Sequence, residues 1–241
     1  MPRQPLALVT GAAHRLGKAF IVSLARHGYA VLLHYRSSEK EAATTATELQ
    51  TLGVPVFVAQ ADLTDVNNID VLFELVDKIP HPLKVLVNSA GEMRGGDPRT
   101  LSAGDWDSVF DLNLRAPFLC SQQAAKRMSD GGLIINISDV GALKAWRRYP
   151  AYAVSKAGLE ALTKILARAF GPAIRVNAIA PGLVLQSDVV PLEEWNRLIT
   201  RIPLKRSGRT EEIASALDFL LNNEYITGQT LVIDGGYSLL G

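Results

Sequence analysis

Three residues near the middle of the chain have the types and spacing needed for proton transfer. Tyr152 and Lys156 are four positions apart, so on a helix their side chains share one face. An ammonium beside a phenol favours the phenolate and brings an ordinarily weak acid closer to neutral pH. Asp139 precedes the tyrosine by thirteen residues and directly follows the apolar run 133–138. The pattern predicts that Tyr152 donates a proton, that Lys156 tunes it, and that a carboxyl lies beside the same substrate atom.

Asp139 restricts the kind of substrate that this site accepts. Two negative charges a few ångströms apart in a dry site cost several kcal/mol, so a carboxylate disfavours a carbonyl that is turning into an alkoxide. Either Asp139 is protonated, or the substrate presents N–H groups that the carboxylate accepts. Reduction of a C=N bond in a nitrogen heterocycle meets the second condition, with Asp139 and Tyr152 relaying a proton to the ring nitrogen.

The segment TGAAHRLG (10–17) follows the first apolar run and opens a helical stretch. Gly11 permits a tight turn, Gly17 permits close contact between helix and sheet, and a helix N-terminus attracts a pyrophosphate. Arg15 stands where dinucleotide-binding turns commonly have a second glycine, and a guanidinium there reaches both pyrophosphate and substrate. The alternative is a solvated surface arginine. The turn residues predicted to bind a cofactor are Gly11, His14, Arg15, Leu16 and Gly17.

The end of the second apolar run indicates which dinucleotide binds. It reads HYRSSEK, with Tyr35, Arg36 and Ser37 in place of the acidic residue that binds the ribose hydroxyls of NAD. A guanidinium and hydroxyls suit a 2′-phosphate, so we expect NADPH. The further residues expected along the adenosine half are Asp62, Leu63, Asn88, Ser89 and Ala90.

Short apolar runs alternate with helical stretches along the whole chain, which predicts one α/β domain over 1–241 with a doubly wound, parallel seven-stranded sheet. The predicted strands are 6–10, 30–35, 54–60, 84–90, 133–138, 174–180 and 230–234. The predicted helices are 16–27, 39–52, 69–78, 106–128, 151–170 and 211–221. Residues 182–208 interrupt the alternation, and we expect a substrate lid with a short helix at 192–201. The alternative for that segment is a surface excursion without function.

The composition excludes several classes of protein. Of the 241 residues 48% are hydrophobic and the net charge is +1, which gives no electrostatic case for a nucleic acid or membrane partner. The single cysteine, Cys120, excludes an internal disulfide, and the N-terminus lacks the apolar run of a signal peptide. The four histidines are scattered without the spacing of metal ligands. We expect a cytoplasmic protein without a metal site.

Several motifs in order resemble the short-chain dehydrogenase/reductase family: TG…G at 10–17, NSAG at 88–91, Asn113, Tyr152 with Lys156, Pro181–Gly182 and ITGQTLVIDGG at 226–236. In that family a serine usually stands where this chain has Asp139. The resemblance implies that Asn113 anchors a water linking Lys156 to solvent, that Pro181 and Gly182 contact the cofactor, and that the chain forms a homotetramer through 106–128, 151–170 and 226–241.

The pteridine reductase branch of the family is similar at the unusual positions. It shares an arginine at the place of Arg15, an HY…RS-like run, and an Asp-Tyr-Lys trio matched by Asp139, Tyr152 and Lys156. The resemblance implies a pterin-like substrate beside the nicotinamide. Where parasite pteridine reductases have a phenylalanine, this chain has Met93. The residues expected to contact substrate are Arg15, Met93, Trp146, Tyr149 and Leu183; Trp146 and Tyr149 are alternatively ordinary loop aromatics.

Three functions follow from these patterns. The first is an NADPH-dependent reductase of a pterin or dihydropterin. The second is a carbonyl reductase, such as one for 3-oxoacyl thioesters on an acyl carrier protein, with Asp139 protonated and a basic patch of Arg147, Arg148, Lys205 and Arg206. The third is a catalytically silent NADPH-binding protein that acts by association.

Overall fold

The computed structural model of the chain describes residues 4–144, 146–186 and 190–240. Its strands are short runs rich in buried aliphatic residues: β1 Leu6–Thr10, β2 Ala30–Tyr35, β3 Val56–Gln60, β4 Leu83–Asn88, β5 Gly132–Ile137, β6 Ile174–Pro181 and β7 Thr230–Ile233. They form one sheet in the order β3-β2-β1-β4-β5-β6-β7, and every pairing is parallel. The strand order reverses between β1 and β4, where a doubly wound sheet opens its ligand crevice.

Helices cover both faces of this sheet, as a parallel sheet requires. They are α1 Arg15–Arg26, α2 Glu39–Gln50, α3 Val66–Lys78, α4 Ala103–Phe110, α5 Ala116–Ala125, α6 Pro150–Phe170, α7 Leu192–Arg201 and α8 Thr210–Asn222. On one face α1, α2 and α8 bury residues such as Phe20 and Leu217. On the other, α3, α5 and α6 bury residues such as Phe73 and Cys120. The predicted seven-stranded, doubly wound fold is confirmed.

The helix predicted over 106–128 runs instead over 103–125, and it is not α-helical throughout. The structure has α4, a π-helical turn at Asp111–Arg115, and then α5. Pro117 supplies a physical reason, because it has no N–H to donate to the carbonyl four residues earlier, that of Asn113. The turn therefore marks Asn113 as the point where the helical ladder is interrupted.

Two of the predicted strands extend two residues beyond the corresponding strand of the structure at one end. Residues 54 and 55 precede β3, and residues 89 and 90, predicted at the end of a strand, lie beyond β4. The Thr10 hydroxyl accepts hydrogen bonds from the N–H groups of Ser89 and Ala90. The chain thus turns away from the sheet at the edge where the crevice opens.

The segment 182–208 contains the expected short helix, α7, at Leu192–Arg201. Residues 187–189 of this segment lie outside the described part of the chain. Trp195 of α7 is buried, and Ile202 packs on Val140 and Tyr237. The segment is therefore joined to the mouth of the crevice. None of the helices among the described residues is both long and apolar enough to span a membrane.

Candidate active site

A cleft of about 1130 Å³ opens at the carboxyl edge of the sheet, and most of the residues predicted for the site line it. From the predicted set it contains Gly11, His14, Arg15, Leu16, Gly17, Tyr35, Arg36, Ser37, Leu63, Ser89, Ala90, Met93, Asp139, Trp146, Tyr149, Tyr152, Lys156, Pro181, Gly182 and Leu183. Asp62, Asn88 and Asn113 are not part of its lining. The fold therefore brings together residues from nearly the whole length of the chain.

Asp139 and Tyr152 are in direct contact at the floor of the cleft. The Tyr152 hydroxyl donates to Asp139 Oδ2 at 2.9 Å, and the Gly141 N–H donates to Asp139 Oδ1 at 2.6 Å. Tyr152 is buried in the first turns of α6, and Asp139 follows β5 directly. The two groups are placed so that one proton can pass between them.

Burial dominates the protonation of this pair. It raises the pKa of Asp139 to about 6, against the Gly141 and Tyr152 hydrogen bonds and the Lys156 ammonium, which lower it. Burial and the neighbouring carboxylate raise the pKa of Tyr152 well above its ordinary value. At neutral pH Tyr152 therefore holds its proton, and Asp139 is an unusually basic carboxylate.

Lys156 is buried one turn after Tyr152, and its ammonium donates to the carbonyl of Ile137 at 2.7 Å. Burial lowers the pKa of Lys156 to about 8, with the charge of Asp139 acting the other way. The expectation that Lys156 favours the Tyr152 phenolate does not hold in this arrangement. The first reason is burial of the phenol, and the second is Asp139, since a carboxylate in contact with the phenol opposes its ionisation.

Asn113 lies fully buried behind the cleft wall, and its side-chain amide is fully engaged. Its Oδ1 accepts from the Glu92 N–H at 2.9 Å, and its Nδ2 donates to the Glu92 carbonyl at 2.8 Å and to Ser155 Oγ at 3.2 Å. The side chain thus fixes the loop after β4 against α6. A water between Asn113 and Lys156 remains a prediction, and it would use the Asn113 main-chain carbonyl that Pro117 leaves without a helical donor.

The phosphate turn is built for close approach. Gly11 has a left-handed φ of +65°, and a side chain there would lie 2.9 Å from the Ala90 backbone. A side chain at Gly17 would lie 2.1 Å from the Gly11 carbonyl. The first residue before α1, His14, gives no side-chain cap, so the first turn of the helix presents uncapped N–H groups to the cleft.

Arg15 leans across the cleft to the opposite wall. Its guanidinium donates to the carbonyls of Leu185 and Gln186 at 3.1–3.2 Å, and its own φ is +55°, in the left-handed region. A non-glycine residue there carries strain of about 1 kcal/mol. Arg15 is therefore positioned to touch both the turn and the segment 182–208, rather than standing alone in solvent.

At the adenosine end, Arg36 and Ser37 are exposed at the end of β2 and line the cleft. Asp62 accepts from the Thr64 N–H and hydroxyl, which lower its pKa. Asn88 is turned into the protein, where its amide donates to Asn136 Oδ1 at 2.8 Å and Ser121 Oγ at 3.1 Å. That network joins β4, β5 and α5 beneath the cleft, so the Asn88 side chain supports its wall.

Aromatic side chains line the other end of the cleft. The rings of Trp146 and Tyr152 are stacked at 8° with centroids 6.5 Å apart, and Tyr149 meets Trp146 edge-on. Met93 packs beside them, in a cluster with Val109 and Ala151. These contacts form a flat apolar wall next to the reacting pair, as the sequence predicted for a planar substrate.

The sequence reasoning missed several residues of the site. His34 accepts from the Gly11 N–H and bonds the Ala61 carbonyl; Ser138 lies beside Asp139; and Glu194 and Tyr237 line the mouth. His34 had a signal, since it is a polar residue within a buried strand. Tyr237 had none, because only the folded chain brings position 237 to the cleft.

Comparison with known proteins agrees with this geometry. A family model described as enoyl-(acyl carrier protein) reductase matches residues 11–238. The chain is 35% identical over 237 residues to the 3-oxoacyl-(acyl-carrier-protein) reductase FabG of Staphylococcus aureus, covering 95% of this chain and 96% of the other. The chain belongs to the short-chain dehydrogenase/reductase family. It is an oxidoreductase of that family.

Other members of the short-chain family differ in their named activities. The chain is 33% identical over 248 residues to 1-cyclohexenylcarbonyl-CoA reductase of Streptomyces collinus, covering 99% of this chain and 88% of the other. Among solved structures it is similar to FolM alternative dihydrofolate reductase 1 from Brucella suis in complex with NADP. The TM-score is 0.92 at 33% identity, with 99% of this chain and 96% of that one covered. The relatives therefore include reductases named for acyl-carrier-protein and CoA substrates as well as a dihydrofolate reductase.

Proposed function

We propose that this protein is an NADPH-dependent reductase of a pterin or dihydropterin-like C=N bond. The observation that carries the proposal is the hydrogen bond of 2.9 Å between Tyr152 and Asp139, which puts a carboxyl where a ketone-reducing site would place a neutral hydroxyl. A carboxylate there accepts N–H groups of a nitrogen heterocycle and repels a developing alkoxide. The similarity to a FolM dihydrofolate reductase supports the same type of substrate.

The cleft fits NADPH by the chemistry of its lining. The glycine turn and uncapped first turn of α1 suit a pyrophosphate, and Arg36 with Ser37 suits a 2′-phosphate. When bound, NADPH supplies the hydride that reduces the substrate carbon. The similar structures in complex with NADP or NADPH support this choice. Lys156, Pro181 and Gly182 would hold the nicotinamide half, and Asp62, Leu63, Ser89 and Ala90 the adenosine half.

The chain's own part in the reaction is to orient the ring and deliver one proton. Asp139 accepts substrate N–H groups and fixes the plane of the heterocycle against the wall of Trp146, Tyr149 and Met93. Tyr152 donates its proton to the ring nitrogen of the C=N bond as the adjacent carbon accepts hydride. Solvent restores the proton to Tyr152, relayed through Asp139 or through Lys156 and the Asn113 water. One hydride and one proton are consumed for each bond reduced.

The carbonyl reductase remains the second candidate, favoured by the 35% identity to a 3-oxoacyl-(acyl-carrier-protein) reductase. It requires protonated Asp139, which a pKa of about 6 permits below neutral pH. The basic patch predicted for a carrier protein is partly engaged elsewhere. Arg206 pairs with Glu212 at 2.7 Å, Arg148 with Glu194 at 3.1 Å, and Lys205 donates to the Thr200 carbonyl.

Side-by-side turnover separates the two candidates. With NADPH in excess, we expect dihydrobiopterin to be reduced with a kcat/KM at least tenfold above that for an acetoacetyl thioester, measured by loss of NADPH absorbance. Asp139→Ser should lose most heterocycle reduction and gain activity on simple ketones, because a hydroxyl donates to an alkoxide where a carboxylate repels it. Good thioester turnover without any pterin turnover by the unaltered protein would refute the first candidate.

We also propose that the protein is a homotetramer. Around α5 and α6 an apolar groove lies at the surface, lined by Phe110, Leu114, Phe118, Gly158, Ala161, Leu162 and Ile165. A second exposed apolar region lies near the C-terminus, where Val232 and Leu239 face outward. Two separate self-complementary surfaces are what a tetramer with two-fold axes requires.

A further inference from the structure

Three consecutive residues at the end of β5 bond to three successive turns of α6. The pairs are Asp139 with Tyr152 at 2.9 Å, Ile137 with Lys156 at 2.7 Å, and Ser138 with Glu160 at 2.9 Å. The helical partners are spaced by four, so they lie along one face of the helix. The first two pairs belong to the reacting centre, whereas the third has no part in the mechanism above.

Glu160 is held in place by a buried donor. Its Oε1 accepts from the hydroxyl of Ser138, which is only 3% exposed and also lies 3.5 Å from the Lys156 carbonyl. None of the ion pairs among the described residues includes Glu160. A carboxylate is therefore fixed beside the strand end that carries Asp139.

We propose that Glu160 is a positioning residue whose fixed negative charge makes the Asp139 carboxylate a stronger proton acceptor. It is not among the residues that line the cleft, and it acts only through that carboxylate. The inference rests on the proposed function to the extent that Asp139 accepts the substrate N–H groups. The hydrogen bond to Ser138 places this second carboxylate near Asp139, where its charge disfavours ionisation of Asp139.

The charged and polar groups around Asp139 shift its pKa in both directions. From α6, the charge of Glu160 raises the pKa of Asp139 together with burial, while Lys156 and the Tyr152 hydrogen bond lower it. From the C-terminal segment Tyr237 faces the same carboxyl, and beyond it stand Glu194 and Arg201 of α7. Glu160 is the anion that bears on Asp139 from within the reacting helix, so its removal is the direct test.

Glu160→Gln removes the charge and keeps an oxygen that can accept from Ser138. We expect the titration midpoint of Asp139 to fall by roughly half a pH unit, which is the size of effect that one nearby, partly screened charge has. The midpoint is read by NMR from isotope-labelled aspartate carboxyl carbons in the unliganded protein, with the signal assigned through Asp139→Asn. The acid limb of kcat/KM should move to lower pH by the same amount, because the proposed reaction uses Asp139 as a carboxylate.

Two variants serve as controls. Glu193→Gln removes one charge from an exposed position on α7 and should leave the midpoint unchanged. Ser138→Ala removes the donor but keeps the charge, and should shift the midpoint less than Glu160→Gln. An unchanged midpoint in Glu160→Gln, or an equal shift in Glu193→Gln, would overturn the proposal. The titration needs no substrate, so it tests the role of Glu160 even if the protein does not reduce pterins.

Discussion

Asp139 and Tyr152 divide between them two tasks that a neutral hydroxyl and a phenol perform in a ketone reductase. Burial and the charge of the adjacent carboxylate keep the phenol protonated, because both oppose its ionisation. In the proposed reaction Tyr152 is therefore an acid with its proton in place. The carboxyl in turn is raised to a pKa of about 6 by burial, close enough to neutral pH to exchange that proton.

Tyr152→Phe tests whether this pair performs chemistry. We expect kcat for NADPH oxidation to fall about 10²- to 10⁴-fold, the usual contribution of a positioned proton donor. The dissociation constant for NADPH should stay within about threefold, because the cofactor contacts along the rest of the cleft remain. Stopped-flow turnover and fluorescence titration measure the two quantities. Unchanged activity on every substrate would instead support a silent NADPH-binding protein.

At the scale of residues, the sequence predicted the reacting groups better than their interactions. Asp139, Tyr152 and Lys156 were found from type and spacing, and the structure brings them together. The direction of the shift in the Tyr152 pKa was predicted wrongly, because burial and the Asp139 carboxylate raise that pKa while the Lys156 ammonium bonds the Ile137 carbonyl. Glu160 follows the same spacing of four from Lys156, so its position was visible in the sequence although its partner Ser138 was not.

At the scale of elements, His34 of β2 links the phosphate turn to the residue that follows β3 through two hydrogen bonds. Its Nδ1 accepts from the Gly11 N–H and its Nε2 lies 3.1 Å from the Ala61 carbonyl, so the ring is neutral with the proton on Nε2. Its main-chain carbonyl accepts from the Ala12 N–H as well. Burial lowers the pKa of His34 to about 4.

That shift predicts a loss of stability in acid. The unfolded chain takes up this proton near pH 6.5 and the folded chain near pH 4, so between them the unfolded state binds more protons and the free energy of unfolding falls as pH falls. At pH 5 the loss from His34 is about 2 kcal/mol relative to pH 7. His34→Asn keeps an acceptor for Gly11 and should remove that part of the change. Urea denaturation of both proteins at pH 7 and pH 5 measures it.

The comparison of the two proteins is needed because Asp139 works in the opposite direction. A carboxyl whose pKa is raised in the folded state destabilises that state as pH rises from about 4 toward 6. This contribution is the same in both proteins and cancels in the difference. Equal acid sensitivity in the unaltered protein and His34→Asn would show that His34 is not the residue responsible.

Elements were predictable where apolar period and length agree. The bounds of α7 and the order of strands and helices follow from such patterns. The π-helical turn between α4 and α5 was missed, because the helical period of the hydrophobic residues continues through it. Pro117 carried the signal, since its missing N–H interrupts the ladder at Asn113. The bonds from Arg15 to Leu185 and Gln186 were beyond reach of the sequence, because they join residues about 170 positions apart.

At the scale of the whole molecule, the unexplained surface is the apolar groove beside α5 and α6. Phe118 is 40% exposed and Ile165 is 64% exposed, although both belong to helices whose other faces are well buried. At Gly158, which lines the groove, a side chain would come within 3.0 Å of Leu114. Contiguous apolar surface of this kind is typical of an interface between chains, which supports the proposal that this groove packs on a second copy.

Ile165→Glu tests this assignment. We expect the unaltered protein to sediment as a tetramer and the variant as a dimer, since a charge buried at one two-fold interface breaks it while the C-terminal surface around Val232 and Leu239 stays paired. Val71→Glu is the matched control, because Val71 is 61% exposed on α3 outside both surfaces, and it should sediment as the unaltered protein does. Sedimentation velocity at several concentrations distinguishes the species. A monomeric unaltered protein, or a variant that stays tetrameric, would contradict the assignment, because both interfaces are required to place four copies around two-fold axes.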